Sequence, residues 1–176
     1  HKDYLGDTIE KIAEEKIAVI QKESVVISCK QDIRVENLIR KRVKEIGAKI
    51  IWKEALTNNY ELGLKGNFQK QNASVAIGAI EALNNLGFSI EGKYIDKGLK
   101  TTTWHGRLEI INYLNKQILV DCAHNYPAAK ALSEERNTWD NEDQGVYWIL
   151  GVQKQKDIAS MLKALIREND HLLLVP

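Results

Sequence analysis

Proline is almost absent from the 176 residues: only Pro127 and Pro176 occur. No Gly/Ser linker, internal repeat or low-complexity run is present either, so any domain boundary must be short. The length allows one domain or two small ones, with enough chain to bury a real core. Charge of one sign is also missing. Lys and Arg total 25 against 24 Asp and Glu, which gives no electrostatic footprint for nucleic acid or an anionic membrane. Any phosphate must therefore be met by local groups. No run approaches the roughly 20 apolar residues needed to span a bilayer, and HKDYLGDT lacks the apolar core of a signal peptide. The chain reads as soluble. Cysteine is confined to Cys29 and Cys122, each ending a short apolar run (VVISC and ILVDC), where a free thiol is expected to pack as a small hydrophobe in a reducing, cytoplasmic setting. The pattern G-x-x-x-x-G-K-[ST] occurs nowhere, so these residues supply no phosphate-cradling loop of that kind.

What is present is α/β patterning. Residues 7–20 place Ile9, Ile12, Ala13, Lys16, Ile17 and Ile20 at helical spacing, which predicts one apolar face with Lys16 on it. VVISC (25–29) reads as a buried strand, 34–46 as an amphipathic helix stopped by Gly47, and KIIWKE (49–54) as a second strand. This βαβ unit predicts a parallel sheet. A polar turn at Thr57-Asn58-Asn59 precedes a short strand, YELGL (60–64), and a long helix within 66–87 whose stripe is Asn72, Ala76, Ala79, Ile80, Leu83 and Leu86, ended by Gly87. Residues 92–100 predict a short helix and loop. From Trp104 the pattern restarts as strand (RLEII), strand (ILVDC), helix (127–136), strand (VYWILGV), helix (157–167) and strand (HLLLVP). A boundary falls near 100–103.

Four constellations invite a chemical reading beside a structural one. Lys16 on an apolar face either snorkels to water or is desolvated, so that a neutral amine becomes reactive. Asn67, Gln69 and Asn72 start a helix and serve as caps, but the stripe following Asn72 would aim its amide at something buried, such as a purine edge. Arg107, after Gly106, is surface decoration or, with Trp104 anchoring a hinge, a planar fork for a phosphate. Asp121 ends a strand before a loop and a helix start: it is a turn or cap carboxylate, or it stands where open α/β sheets bind ligands. His1, one imidazole at a chain end, is a weak metal ligand by itself.

Taken in order, HKDYLGDTIEKIAEEK, LKGNFQKQNASVAIGAIEAL, TTTWHGRLEI, ILVDCAHNYPAAKAL and ILGVQKQKDI resemble one family: the folylpolyglutamate synthase and dihydrofolate synthase ligases, relatives of the Mur ligases. The resemblance implies an α/β fold in which residues 1–103 are the end of a Mur-ligase-type central ATPase domain and 104–176 most of a Rossmann-like C-terminal domain. It implies that His1 is a magnesium ligand and that Lys16 carries a metal-directed carbamate. Gln69 and Asn72 would be nucleotide contacts, Asn72 reading adenine; Arg107 would reach ATP phosphate and Asp121 the ribose. His124 and Asn125 would lie nearer the phosphates and the incoming amino acid, in an interdomain cleft. The implied chemistry is ATP-dependent amide formation in the cytoplasm: a pteroate or folate carboxylate is phosphorylated, and the amine of L-glutamate attacks the acyl phosphate. The partners are ATP with Mg2+, dihydropteroate or folate, and glutamate, without nucleic acid or membrane, in a protein monomeric at full length.

The family's amino-terminal half, with its glycine-rich loop and a metal-binding glutamate, has no counterpart in these residues. The chain alone is therefore expected to bind ATP weakly, to show no ligase turnover and to be prone to association. His105 replaces a usual proline before Gly-Arg, Cys122 a usual glycine and Gln155 a common aspartate, while Ile17-Ala18-Val19 departs from Ala-Gly-Ile; these changes bear on substrate preference. Two other readings stay open: a Mur-type ligase acting on a cell-wall precursor, and a non-catalytic nucleotide-binding α/β module.

Overall fold

The computed structural model describes residues 8–57, 60–139 and 144–175. His1 and the Asn58-Asn59 part of the expected turn lie outside them. The chain divides into two compact units, one taking residues up to Gly63 together with Gln69–Thr102, the other Leu64–Phe68 with Thr103 onward.

In the first unit, Thr8 opens helix α1 (Ile9–Ile17), its Oγ1 accepting from the Lys11 amide at 3.3 Å. Strand β1 (Val25–Cys29), helix α2 (Ile33–Ile46) and strand β2 (Lys49–Lys53) form the expected βαβ unit, with the strands parallel and in register from Val25 opposite Lys49 to Cys29 opposite Lys53. Asp32 caps α2 by accepting from the Arg34 amide at 3.0 Å. Gly47, at φ 70, ends it in the left-handed conformation that costs glycine nothing. Ile20, Ile39 and Val43 are buried between these elements, walled by Ile17, Val26, Ile50 and Trp52.

Helix α3 (Gln69–Asn85) packs on β1 and β2, but not by the stripe read from its apolar residues. Its buried face is Gln69, Ala73, Ser74, Ile77, Gly78 and Ala82; Asn72, Ala76, Ala79, Leu83 and Leu86 are exposed. The reason is steric. A Cβ at Gly78 would stand 2.8 Å from Ile27 Cγ2 and 3.1 Å from Lys53 Cγ and Cδ, so the helix approaches the sheet with its small residues and turns the larger ones outward. Helix α4 (Gly92–Thr101) follows. The strand expected at 60–64 does not form. Instead the Gly63 amide donates to the Leu99 carbonyl at 2.8 Å, and a Cβ on Gly63 would collide with the carbonyls of Lys100 and Thr102, so the segment abuts the end of α4 rather than a strand.

The second unit begins with an antiparallel hairpin of β3 (Glu109–Tyr113) and β4 (Lys116–Val120). Leu114 and Asn115, at φ 47 and 61, make the two-residue turn whose twist matches paired strands. Helix α5 (Tyr126–Arg136), strand β5 (Tyr147–Leu150), helix α6 (Ile158–Leu165) and strand β6 (His171–Leu174) follow, β5 and β6 pairing in parallel from Tyr147 opposite His171. Leu108, Ala129, Leu132, Met161 and Leu165 form the core, flanked by Phe68, Trp139 and Trp148. Among the described residues no helix is long and apolar enough to cross a membrane.

One ion pair lies inside this unit. The side chains of Arg136 and Asp170 are 1% and 0% exposed, with Nη1 at 2.6 Å from Oδ2 and Nη2 at 2.7 Å from Oδ1. Asp170 also accepts from the amides of Val146 and Arg167, both at 2.8 Å, and from Trp148 Nε1 at 2.9 Å. Burial by itself would raise the Asp170 carboxyl pKa. The Arg136 guanidinium and the Arg167, Trp148 and Val146 N–H groups outweigh it and hold the carboxyl well below the usual carboxylate range. Because the folded value lies below the unfolded one, this stabilisation is complete above about pH 4 and is lost as pH falls through the lower folded value. Asp170→Asn should cost about 3–5 kcal/mol at neutral pH, the usual cost of breaking a buried pair, and should flatten the acid dependence. Chemical denaturation of both proteins at pH 7 and pH 3 checks this.

Candidate functional site

The groups with chemical potential in the second unit sit on two loops that the backbone ties together. Strand β4 ends at Val120, and residues 121–125 lead into α5. Asn125 caps that helix, its Oδ1 accepting from the Ala128 amide at 2.9 Å, while Pro127 in the first turn needs no N–H partner. Asp121 is therefore not the cap. Its Oδ1 accepts from the Ala123 amide at 2.8 Å and its Oδ2 from the Leu108 amide at 3.1 Å. The Cys122 amide donates to the Gly106 carbonyl at 2.8 Å, completing the connection between the loop after β4 and the turn before β3.

That turn is held from its other side by Glu109. Oε2 accepts from the Gly106 amide and Oε1 from His105 Nδ1, both at 2.8 Å. Gly106 and Leu108 have φ 69 and 48, and Leu108 is 3% exposed in the core. Arg107, between them, is exposed. His124 is also exposed, and its Nδ1–H donates to the Cys122 carbonyl at 2.9 Å. This fixes the tautomer of the neutral ring and leaves Nε2 as the acceptor. The structure thus gathers Arg107, Asp121, His124 and Asn125 on joined loops of one unit.

In the first unit, Gln69 is buried (5% exposed), and its Oε1 accepts from Asn72 Nδ2 at 2.9 Å. Asn72 is itself exposed, because α3 turns that side away from its sheet, and Gln69 is the buried partner its amide meets within the unit. Three further expectations change. Lys16 is exposed in the last turn of α1, where Ala13 is the buried residue, so the helix face does not desolvate its ammonium. Cys122 is exposed and Cys29 half-buried; β4 ends two residues before Cys122, which leaves the thiol on a loop. Trp104 is 69% exposed and is no buried anchor. Among the described residues no group of three or more His, Cys, Asp or Glu side chains could hold a metal ion. Sequence reading missed His105 and Glu109 as partners; their spacing of four residues across a turn was the available signal.

The family model for the C-terminal domain of dihydrofolate synthetase matches residues 107–176. A probable dihydrofolate synthetase of Schizosaccharomyces pombe is 30% identical over 98% of this chain and 46% of its own length. The chain is a relative of the dihydrofolate and folylpolyglutamate synthases. The dihydrofolate synthase/folylpolyglutamate synthase of Bacillus subtilis is 26% identical over 94% of this chain and 44% of its own, so this relative spans less than half the length of the proteins it matches. An FPGS–AMPPCP–folate complex shares the fold at TM-score 0.85 and 22% identity, over 100% of this chain and 48% of that one. The Mycobacterium tuberculosis folylpolyglutamate synthase with ADP and AMPPCP does so at TM-score 0.83 and 24% identity, over 99% and 45%.

Within this synthase relative the His105–Glu109 contact is a titratable brace on the Arg107 turn. The hydrogen bond to Glu109 raises the His105 pKa, and the bonds from His105 and the Gly106 amide lower that of Glu109. By NMR titration His105 should lose its proton above the ordinary imidazole value of about 6.5. Glu109→Gln should bring it back to that value, and an unchanged midpoint would show that the brace does not form in solution.

Proposed function

We propose that this chain is part of an ATP-dependent ligase that joins L-glutamate to the carboxylate of a pteroate or folate. The observation that carries the reading is the similarity to a probable dihydrofolate synthetase over 98% of the chain. Residues 1–103 would belong to the central ATP-binding domain and 104–176 to the C-terminal domain, in a monomeric cytoplasmic enzyme. A substrate carboxylate oxygen attacks the γ-phosphorus of ATP and ADP leaves; the amine of glutamate then attacks the acyl carbon and phosphate leaves. That AMPPCP and folate accompany a structural relative supports these ligands here.

The chain's residues take separate parts. Arg107, with a planar guanidinium and an exposed position, meets phosphate oxygens and offsets charge on the transferring group. His124 presents Nε2 as an acceptor for a proton of the incoming ammonium. Asn125, which caps α5 through the Ala128 amide, fixes the start of that helix beside His124, near the phosphates and the incoming amino acid, and Asp121 meets the ribose. Asn72, its amide oriented by Gln69, reads the adenine edge. Magnesium enters with the triphosphate. His1 and Lys16 are the proposed metal-side groups, Lys16 as a carbamate, but the exposure of Lys16 offers that role no help from desolvation.

Two measurements test the reading. A protein that contains this sequence together with the family's amino-terminal half should form ADP when given ATP, dihydropteroate and glutamate; ADP formation with nucleotide-linked muramyl compounds instead would replace the folate assignment. Asn72→Ala and Arg107→Lys should each weaken ATP binding by about 1–3 kcal/mol, the cost of an unpaired polar partner or a lost fork. Unchanged ATP affinity in both variants would remove these residues from the site.

A further inference from the structure

We propose that residues Leu64–Phe68 are a strap that opens and closes as one piece on the second unit, with Phe68 as its anchor and Glu135 of α5 as its latch. In the sequence this segment is enclosed on both sides by residues of the first unit, yet its contacts put it in the second. The chain therefore passes between the units at 63–64, at 68–69 and at 102–103. The strap is a piece of the second unit that begins and ends in the first.

Three features fit the segment to its seat. Phe68 packs on the core of Leu108, Ala129, Leu132, Met161 and Leu165. Gly66 stands at φ 104, and a Cβ there would lie 2.7 Å from Leu108 Cδ1 and 2.7 Å from Phe68 Cε1, so both the backbone angle and the space require glycine. The Asn67 amide donates to Glu135 Oε2 at 3.0 Å. Glu135 lies in the last turn of α5, where the helix dipole disfavours a carboxylate. An N–H brought from 68 residues away gives that charge a partner its own helix does not supply.

The hold is firm enough to close the strap and weak enough to release it. A half-buried ring and a charge-assisted bond at the surface secure it less than the fully buried Met161 and Leu165 secure the core, so local opening can leave the rest of the unit folded. Both ends are fixed. The Gly63 amide donates to the Leu99 carbonyl at 2.8 Å, and a Cβ on Gly63 would stand 2.5 Å from the Lys100 and Thr102 carbonyl oxygens; at the other end Gln69, the first residue of α3, is 5% exposed. The residues between such ends cannot leave one at a time. Closure orders the start of α3, and opening frees it.

Amide hydrogen exchange of the 176-residue protein, followed by NMR, tests the strap with two variants that act on different parts of it. Glu135→Ala removes the latch and should speed exchange about tenfold at Asn67, the loss of one hydrogen bond to a charged group, and also at Ala73 and Ser74 in the first turns of α3. Gly66→Ala leaves the latch in place but crowds Leu108 and Phe68, so faster exchange at Asn67 in this variant reports opening of the whole segment. In Glu135→Ala the amides of α5 should keep the parental rates. Acceleration confined to Asn67 in Glu135→Ala would reduce the contact to an isolated surface bond and overturn the inference. So would unchanged exchange at Asn67 in a folded Gly66→Ala protein, or equal acceleration throughout α5 in Glu135→Ala, which would make Glu135 a general support of the unit.

Discussion

Asp170 receives five hydrogen bonds, two from the Arg136 guanidinium, two from backbone amides and one from the Trp148 indole, and the second unit is organised around that demand. A buried carboxylate is tolerable only when its lone pairs are filled. Filling them draws together the end of α5, the start of β5, the connection after α6 and the residue before β6. Arg136 Nη1 adds a bond to the Leu165 carbonyl at 3.1 Å. The apolar core of Leu132, Met161 and Leu165 packs beside this knot, so the position of α5, and with it the loop that precedes α5, follows from charge satisfaction as much as from hydrophobic burial.

The same device recurs at the proposed site. Asp121 and Glu109 each receive a backbone N–H of the segment around Arg107, and Asn125 receives one from α5. Loops built this way are held by directional bonds and leave selected side chains outward. Arg107 and His124 are exposed while the atoms around them are committed. That separation between groups that hold and groups that act ties the fold to the proposed ligase chemistry.

Much of this was legible in the residues. Gly47 ends α2 and the βαβ pattern of 25–53 yields a parallel pair, because helix stops and strand–helix alternation are local signals, whereas the cap of α5 is Asn125 and not Asp121. The face of α3 was not legible, since an apolar stripe does not announce that Gly78 allows a closer approach by the opposite, small-residue side. The segment 60–64 has strand-like composition but spends its Gly63 amide on the end of α4, a partner thirty-six residues away. Lys16 shares helical spacing with isoleucines yet lies beyond the half of that face that packs. The resemblance located Arg107 and Asp121 separately; that one holds the turn of the other depends on a bond no periodicity encodes.

In the proposed enzyme the turn before β3 and the loop after β4 form one anion-directed nucleotide surface. An ATP titration of the isotopically labelled protein, followed by backbone amide shifts, tests it most directly. The amides of Gly106–Glu109 and Asp121–Asn125 should shift together along one saturation curve, with His171–Leu174 unmoved. Shifts confined to other residues, or separate curves for the two segments, would contradict it.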